Sequence, residues 1–289
     1  VQLHMQLSRL SQEGIEHLAI EASSHGLDQY RLDGVRISAA GFTNITRDHL
    51  DYHSDFEHYF SAKMRLFSEL LTPGGVAVIN ADAPHAQDVI AIARKRALQV
   101  LTVGERGGAI RILSREPQMS GQKIQLRCEG RETAVDLPLV GEFQVSNALI
   151  AAGLAIGSGE SAIRVFATLE SLKGAPGRME LVAFAKSGAP IYVDYAHTPD
   201  AMETVLTALR PHVKKQLIIV FGCGGERDSG KRPLMGAAAC KFADVAIVTD
   251  DNPRGEDPAS IRREALKGCP GAQEIGDRRI AIRSGIEML

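Results

Sequence analysis

The 289-residue sequence has few cysteines, no long apolar run and almost no net charge. Its four cysteines form no C-x-x-C pair, which argues against a zinc ribbon or a disulfide framework and is typical of a reducing cytoplasm. No apolar stretch approaches the roughly 20 residues that cross a bilayer. The net charge of −2 gives no indication of nucleic acid or a membrane surface as a partner. A signal-peptide pattern is also missing.

The composition is that of a soluble globular protein, with 44% apolar and 24% charged residues. The length permits one large domain or two ordinary ones. Leu3, Leu7 and Leu10 lie on one face of a helix that is already in progress at the first residues. We therefore expect the chain to begin inside a domain.

The order of predicted elements indicates an α/β protein with a mainly parallel sheet. Alternating apolar residues between glycines predict a small antiparallel insert over residues 101–139. The glycines and proline of 173–177 predict the joint between domain 1–176 and domain 177–289. Strands are predicted at 17–20, 39–44, 75–79, 191–193, 216–221 and 245–249. Helices are predicted at 55–71, 145–157, 161–172, 200–209, 231–242 and 258–267.

Two acids and an arginine follow the apolar run Val245–Val248. Asp250 and Asp251 come first, and Asn252, Pro253 and Arg254 complete the turn. Ligands of open α/β sheets bind at the carboxyl ends of the strands. An arginine fork there would donate two parallel hydrogen bonds to a carboxylate or a phosphate. The alternative is an ordinary strand exit with a solvated arginine.

Polar residues also follow two predicted strands of the first domain. Glu21 ends the strand 17–20, where a buried carboxylate needs a metal ion or an arginine unless it faces solvent. His49 and His53 are one helical turn apart, which permits zinc, but no zinc-protease glutamate accompanies them. The oxygen-rich surroundings favour Mg²⁺, and a hydrogen-bonded surface turn is the alternative. From its spacing alone, Lys63 is predicted to be a surface lysine.

Two nucleotide-binding patterns near residue 225 are incomplete. Residues 225–231 spell G-x-x-x-x-G-K, but Arg232 stands where a phosphate loop has the Ser or Thr that binds Mg²⁺. Arg227 likewise occupies the third glycine position of a dinucleotide fingerprint. We expect Arg227, Lys231 and Arg232 to form a basic rim opposite Arg254, which would attract an anionic substrate.

Five segments together resemble the Mur ligase family of ATP-dependent enzymes, which build the peptide of bacterial cell-wall precursors. They are Glu21–Leu27, Phe42–Asn44 with Arg47–His53, Asp194–Asp200, Phe221–Gly225 and Gly230–Gly236. The resemblance runs from Glu21 to the end of the chain. It implies an ATPase-type central sheet followed by a Rossmann-like C-terminal domain. Residues 251–254 resemble the signature of the members that add meso-diaminopimelate, whereas lysine-adding relatives lack the arginine.

Elementary chemistry agrees with that last distinction. Diaminopimelate carries a second carboxylate where lysine ends in an ammonium group alone. A bidentate arginine would pair with this carboxylate at about 1.5–3 kcal/mol per charge-assisted hydrogen bond. Lysine would leave the same fork unsatisfied and would be rejected.

The resemblance also implies a reaction and its ligands. ATP phosphorylates the terminal carboxylate of UDP-MurNAc-L-Ala-D-Glu, and the amine of meso-diaminopimelate then attacks the acyl phosphate. Glu21 and His49 would hold Mg²⁺, and Lys63 would be carbamylated to support a second ion. The remaining implied contacts are Ser23, Gln29 and Arg31 for the nucleotide-linked dipeptide, Asn147, Arg178 and Asp194 for ATP, and Arg227 with Asp251, Asn252, Pro253 and Arg254 for diaminopimelate.

Three departures from the family pattern concern Gln144 and the two ends of the chain. Gln144 replaces an asparagine that contacts the nucleotide, although it keeps the amide. The family's phosphate loop and uridine-binding domain are expected upstream of Val1, and a further diaminopimelate contact is expected after Leu289. We therefore expect residues 1–289 alone to have no ligase activity, and the parent enzyme to be a cytoplasmic monomer. A folylpolyglutamate or cyanophycin-type ligase, and a non-catalytic amino-acid-binding module, remain alternatives.

Overall fold

The computed structural model describes residues 2–45, 52–226 and 228–289. The chain divides into two compact units. The first comprises residues 1–114, 124–135 and 146–169, and the second comprises 115–123, 136–145 and 170–289. The joint expected at residue 176 stays a prediction. Within the described ranges, no helix combines the length and apolar character needed to span a bilayer.

A six-stranded sheet forms the centre of the N-terminal half, in the order β1-β2-β3-β4-β5-β6. Strands β1–β2 and β2–β3 pair in parallel. Two-residue connections join β4 to β5 and β5 to β6, and connections this short permit only antiparallel hairpins. The strands are β1 (Ile37–Phe42), β2 (Leu71–Asn80), β3 (Gln99–Gly104), β4 (Ile110–Gln118), β5 (Gly121–Cys128) and β6 (Arg131–Leu137). The predicted mainly parallel sheet with an antiparallel insert is confirmed.

In the part of the chain that the structure describes, six helices accompany these strands. They are α1 (Gln2–Gln12), α2 (Ser24–Asp28), α3 (Phe56–Arg65), which continues as a π-helical turn Leu66–Leu70, α4 (Ala86–Lys95), α5 (Glu142–Gly157) and α6 (Ala162–Leu169). Helix α5 packs closely on β2, because a Cβ at Gly153 would lie only 2.5 Å from Val78 Cγ1. Residues 76–80 of β2 are buried, as expected of a central strand in a sheet covered on both faces.

The strand predicted at residues 17–20 is absent. These residues belong to an irregular segment, and Leu18 and Ile20 are 52% and 42% exposed. A strand needs a neighbour for its ladder hydrogen bonds. Among the described residues β1, at the edge of the sheet, pairs with β2 and not with residues 17–20, so these residues form no ladder hydrogen bonds. Glu21 therefore does not end a buried strand, and it is exposed.

The second unit contains a parallel sheet in the order β11-β10-β9 and a separate antiparallel pair, β7–β8. The strands are β7 (Glu180–Phe184), β8 (Pro190–Val193), β9 (Ile218–Phe221), β10 (Val245–Val248) and β11 (Gln273–Glu274). The helices are α7 (Pro199–Leu209), α8 (Lys231–Phe242), α9 (Pro258–Gly268) and α10 (Arg278–Glu287). Phe221 pairs with Val248, so β9 and β10 end at the same rim.

A disulfide joins Cys240 to Cys269, which the cysteine spacing did not predict. Its cause is the close packing of α8 on α9. A Cβ at Gly236 would lie 2.0 Å from the carbonyl oxygen of Ala265, so only glycine permits this approach. The two cysteine Cα atoms consequently lie 5.4 Å apart, within the range that a disulfide spans. The expectation drawn from the missing C-x-x-C pairs is corrected on this point.

Candidate functional site

Two loops leave the shared rim of β9 and β10 and contact each other. We name residues 222–226 the glycine loop and residues 251–256 the arginine loop. The amide of Gly225 donates to the carbonyl oxygen of Asn252 at 2.9 Å, and Arg254 Nη1 donates to the carbonyl oxygen of Gly225. A side chain at position 225 would prevent this contact, because its Cβ would lie 1.9 Å from the carbonyl oxygen of Pro253.

Arg232 lies beneath these loops and is only 1% exposed. Its guanidinium forms a bidentate pair with Glu256, at 2.9 and 2.8 Å, and a third charge-assisted bond to Glu264 at 2.8 Å. The bond from Arg232 is the main reason that the pKa of Glu256 falls below its usual range, and the bond to Glu256 raises the pKa of Arg232. The prediction that Arg232 belongs to the basic rim is wrong, because Arg232 is buried and its charge is paired with these two carboxylates.

Arg254 lines a cleft of about 760 Å³ in the second unit. Lys231 and Arg278 add two more cations to its wall, while Asp194 and Asp251 add two carboxylates. Cations and anions facing one space suit a zwitterionic ligand with separate ammonium and carboxylate groups. Arg254 thus faces a cleft, and its role in binding a carboxylate stays a prediction. Arg227 lies outside the described residues.

Arg278 was not anticipated from the sequence. It begins α10 directly after β11, and its Nη1 donates to the carbonyl oxygen of Asp250 at 3.0 Å. The sequence feature that could have pointed to Arg278 is its place after a third parallel strand, because the carboxyl ends of parallel strands share one rim. That strand has only two residues, Gln273 and Glu274, and neither is apolar. Hydrophobic patterning therefore gave no indication of it.

Asp194 is held in a fixed orientation at the end of β8. Its two oxygens accept hydrogen bonds from the amides of Met179, at 2.8 Å, and Ala196, at 2.7 Å. Each carboxylate oxygen keeps a second lone pair for a ligand. The guanidinium of Arg178 lies 5.3 Å from the centre of the Tyr195 ring.

Gln144 donates to the carbonyl oxygen of Arg178 at 3.3 Å and is 7% exposed. Its amide is therefore directed at the backbone of a predicted ATP contact. Asn147, on α5, is exposed and belongs to the first unit, whereas Arg178 and Asp194 belong to the second.

The predicted metal residues of the first unit are only partly described. Lys63 Nζ donates to the carbonyl oxygen of Ala22 at 3.1 Å, which brings this lysine to the backbone beside Glu21. Lys63 is half-buried, so the prediction of a surface lysine is wrong. His49 lies outside the described residues. Within the described ranges, no group of three or more His, Cys, Asp or Glu side chains is arranged to hold a metal ion.

The three residues expected to contact the nucleotide-linked dipeptide lie around the short helix α2. Ser23 is its N-cap, and its Oγ accepts from the amide of Gly26 at 3.1 Å. Arg31 donates to the side-chain oxygen of Gln29, and Gln29 donates to Tyr52 Oη at 3.1 Å. Gln29 and Arg31 are thus in direct contact.

Tyr52 and Asp28 extend this polar group. Tyr52 Oη donates to Asp28 Oδ2 at 2.8 Å, and this bond is the largest cause of the lowered pKa of Asp28. His58 lies 3.3 Å from the same carboxylate. Sequence analysis did not assign Asp28 to a site, because an aspartate at the end of a short helix carries no distinguishing pattern.

Cys223 lies within the glycine loop but is unsuited to nucleophilic chemistry. It is 4% exposed and contacts the sulfur of Met235 at 3.7 Å. Burial raises the pKa of its thiol to about 11. The thiol is therefore neutral near pH 7, and thiolate, not thiol, is the reactive form.

Two family models together match most of the chain. The Mur ligase middle domain matches residues 1–155, and the Mur ligase glutamate ligase domain matches residues 177–289. The chain belongs to the Mur ligase family.

Among curated Mur ligases, a UDP-N-acetylmuramoyl-L-alanyl-D-glutamate–2,6-diaminopimelate ligase of Caulobacter vibrioides is 55% identical over 98% of this chain and 58% of its own length. The ligase of the same name from Bradyrhizobium diazoefficiens is 55% identical over the whole chain and 60% of its own length. A solved structure carrying that name is 40% identical with a TM-score of 0.73, and the match covers 98% of this chain and 59% of that one. The chain thus spans somewhat under two thirds of the length of these relatives.

Proposed function

We propose that this chain is part of an ATP-dependent amide ligase that adds meso-diaminopimelate to UDP-MurNAc-L-Ala-D-Glu in peptidoglycan precursor synthesis. The single observation that carries the proposal is the position of Arg254 on a cleft of mixed charge. The names of the two curated relatives support the same substrates. The reaction proceeds through an acyl phosphate of the dipeptide. The second unit binds the amino acid whose amine attacks this acyl phosphate.

Diaminopimelate fits the chemistry of this cleft. Its distal carboxylate pairs with the fork of Arg254, whose Nη1 donates to Gly225 while its other side-chain nitrogens make no hydrogen bond to the described residues. Asp251 supplies an anion for an ammonium group on the same wall. Arg227 and Asn252 complete the proposed amino-acid contacts. Lysine lacks the distal carboxylate, so Arg254 would be left without its partner.

The ATP contacts form a second part of the proposal. Asp194, fixed by two backbone amides, accepts from the ribose hydroxyls through its remaining lone pairs. Arg178 carries positive charge toward the phosphates, and the residue is exposed. Asn147 adds a further amide. Ser23, Gln29 and Arg31 orient the nucleotide-linked dipeptide.

Magnesium belongs to the same proposal. The described donors fit Mg²⁺ only when Lys63 is a carbamate, because an ammonium group beside Glu21 would repel a cation, whereas a carbamate offers oxygen ligands. Glu21, His49 and carbamylated Lys63 would then hold Mg²⁺, which supplies charge neutralisation at the phosphates. We further propose a cytoplasmic monomer without nucleic-acid or membrane partners, in keeping with the net charge of −2.

The decisive assay measures phosphate release by the protein expressed from its complete reading frame, with ATP, Mg²⁺ and UDP-MurNAc-L-Ala-D-Glu. We expect turnover that depends on meso-diaminopimelate and is weaker by roughly two orders of magnitude or more with L-lysine, as for a site that loses a charged partner. Equal rates with both amino acids would overturn the assignment of the added residue. Turnover only with a folate or with a poly-amino acid would favour the other ligases of this fold.

Calorimetry on residues 1–289, combined with the phosphate-release assay on the complete protein, tests the non-catalytic alternative. In that alternative the chain binds diaminopimelate as its only function, and the complete protein shows no phosphate release with any combination of the three substrates. Under the proposed function, the same binding accompanies substrate-dependent phosphate release by the complete protein.

A further inference from the structure

We propose that Arg232 is a positioning residue that, through Glu256, holds the glycine loop and the arginine loop in the arrangement in which Arg254 lines the cleft. Arg232 itself does not line the cleft. The proposal deepens the function proposed above and rests on it for its effect on diaminopimelate. In this proposal, the ion pair between buried Arg232 and Glu256 fixes the position of Arg254, the residue proposed to select the amino acid.

The first step is the contact between Arg232 and both loops. Its Nη2 donates to the carbonyl oxygen of Gly224 at 3.3 Å, within the glycine loop. Its two terminal nitrogens grip Glu256, the last residue of the arginine loop. A single guanidinium, fixed at the start of α8, therefore bonds to each loop directly.

Glu256 then joins the loops a second time. Its side chain accepts from the amide of Glu226 in the glycine loop, and its own amide donates to the carbonyl oxygen of Pro253 at 3.0 Å. The carboxylate of Glu256 is thus shared between Arg232 and the glycine-loop backbone. Loss of its charge would weaken both contacts at once, because charge-assisted hydrogen bonds are the stronger kind.

Backbone conformation shows why these loops need such support. Glu226 has φ +51° and Arg254 has φ +50°, the left-handed region that non-glycine residues rarely adopt. Strained residues persist where the surrounding structure fixes them, and they concentrate at binding sites. In the described part of the loops, the Glu256 bond to Glu226 and the Asn252 side-chain bond to the amide of Arg254 act directly at these two residues.

The chain offers a matched pair of glutamates for the test. Glu256 and Glu264 both bond to Arg232 at 2.8 Å, and their side chains are 35% and 33% exposed. Only Glu256 belongs to a loop of the cleft, because Glu264 lies on α9. A merely structural role for the ion pairs predicts that any loss of diaminopimelate binding follows the loss of Tm in both variants. Positioning predicts that Glu256→Gln weakens diaminopimelate binding beyond what its loss of Tm accounts for, whereas Glu264→Gln does not.

The test compares steady-state kinetics of the two variants in the full-length ligase. We expect Glu256→Gln to raise the KM for meso-diaminopimelate at least about tenfold, equivalent to about 1.4 kcal/mol, while the KM for ATP stays within about twofold. Glu264→Gln should leave the KM values for meso-diaminopimelate and ATP within about twofold of wild type, even if its Tm falls as much as that of Glu256→Gln. Arg232→Lys should lie between wild type and Glu256→Gln, because one ammonium cannot reproduce the fork.

A ligand-free measurement separates this inference from the proposed function. Hydrogen exchange at the amides of Gly225 and Glu226 reports the contact between the loops directly, and it should accelerate in Glu256→Gln but not in Glu264→Gln. Equal exchange in the two variants, or equal KM values for diaminopimelate, overturns the positioning role. If the wild-type enzyme does not use diaminopimelate but hydrogen exchange still differs between the two variants, only the proposed substrate is overturned.

Discussion

The amide nitrogen of Gly225 lies 2.9 Å from the carbonyl oxygen of Asn252, which joins the loops after two neighbouring strands at their shared rim. The same glycine accepts a hydrogen bond from Arg254 through its carbonyl oxygen. Gly225 therefore touches the arginine loop through both of its backbone polar groups. The arrangement of the cleft wall depends on a position that tolerates no side chain.

Gly225→Ala should separate the two loops. Its Cβ would lie 1.9 Å from the carbonyl oxygen of Pro253, so the backbone must move. We expect a loss of about 1–3 kcal/mol in the free energy of unfolding, as for an overpacked site, together with weaker binding of meso-diaminopimelate. Urea unfolding and calorimetry measure these effects. Gly271→Ala is the control, because nothing lies within 4 Å of its Cβ, and equal losses in both variants would contradict the prediction.

Arg254→Lys should weaken binding of meso-diaminopimelate by about 10- to 100-fold, because a point charge cannot form the bidentate pair. Binding of L-lysine should change far less, since it has no distal carboxylate to lose. Calorimetry with both amino acids checks this difference. Arg263→Lys, at an exposed arginine of α9, should leave both affinities unchanged. A parallel loss for both amino acids at position 254 would count against recognition of the distal acid.

Lys63→Arg should abolish carbamylation and reduce ligase activity by at least about 100-fold, because Mg²⁺ support is worth several kcal/mol in phosphoryl transfer. The direct measurement is the carbamate carbon resonance after incubation with ¹³C-labelled bicarbonate. Wild type and Lys241→Arg, the latter at an exposed lysine of α8, should both show it. Its presence in Lys63→Arg would place the modification elsewhere.

Asp244 should contribute stability that depends on pH. The side-chain bond from Arg210, at 2.7 Å, and the amide of Leu217 lower its pKa below the ordinary 3.8. A lowered folded-state pKa stabilises the protein above the unfolded value, and this contribution is lost as pH falls through the folded value. Near pH 7, Asp244→Asn should therefore unfold at a lower urea concentration than wild type. The difference between their midpoint urea concentrations should shrink below about pH 4. A difference independent of pH would exclude the charge as its cause.

The Cys240–Cys269 disulfide should leave two thiols, those of Cys128 and Cys223, for titration in denaturant without reductant. Reduction should raise the count to four. Because the bond closes a loop of 29 residues, Cys240→Ser should cost about 3–4 kcal/mol under oxidising conditions and little after reduction. Four titratable thiols in the chain purified from a reducing cytoplasm, with no change on reduction, would show that the pair stays open there.

Much of the fold is predictable from the spacing of apolar residues and the positions of glycine and proline. Helix α8 was predicted at the residues where it occurs, 231–242, and β10 lies within its predicted strand. The strand at 17–20 was wrong because an apolar run favours a strand but does not supply a ladder partner, and in the structure Leu18 and Ile20 are exposed. The disulfide was missed for a related reason, since the approach of two helices is not encoded in cysteine spacing.

The position of Arg254 at the rim was predictable, because it follows an apolar run that reads as a parallel strand, and the residue lines a cleft there. Its role in recognising an amino acid stays a prediction. Arg232 was misplaced because it is adjacent to Lys231, and sequence alone did not reveal which of the two side chains faces the cleft. Only the positions of Glu256 and Glu264, on a later loop and helix, determine that Arg232 is the buried one.

The left-handed backbone at Arg254 restricts how this wall can evolve. Glycine would relax the dihedral yet remove the guanidinium, and a β-branched replacement would clash with its own chain. A residue at position 254 must therefore tolerate this dihedral and still carry a side chain that reaches the cleft. Relatives that lack the guanidinium should more often differ in the length or course of residues 251–256 than by one substitution at position 254.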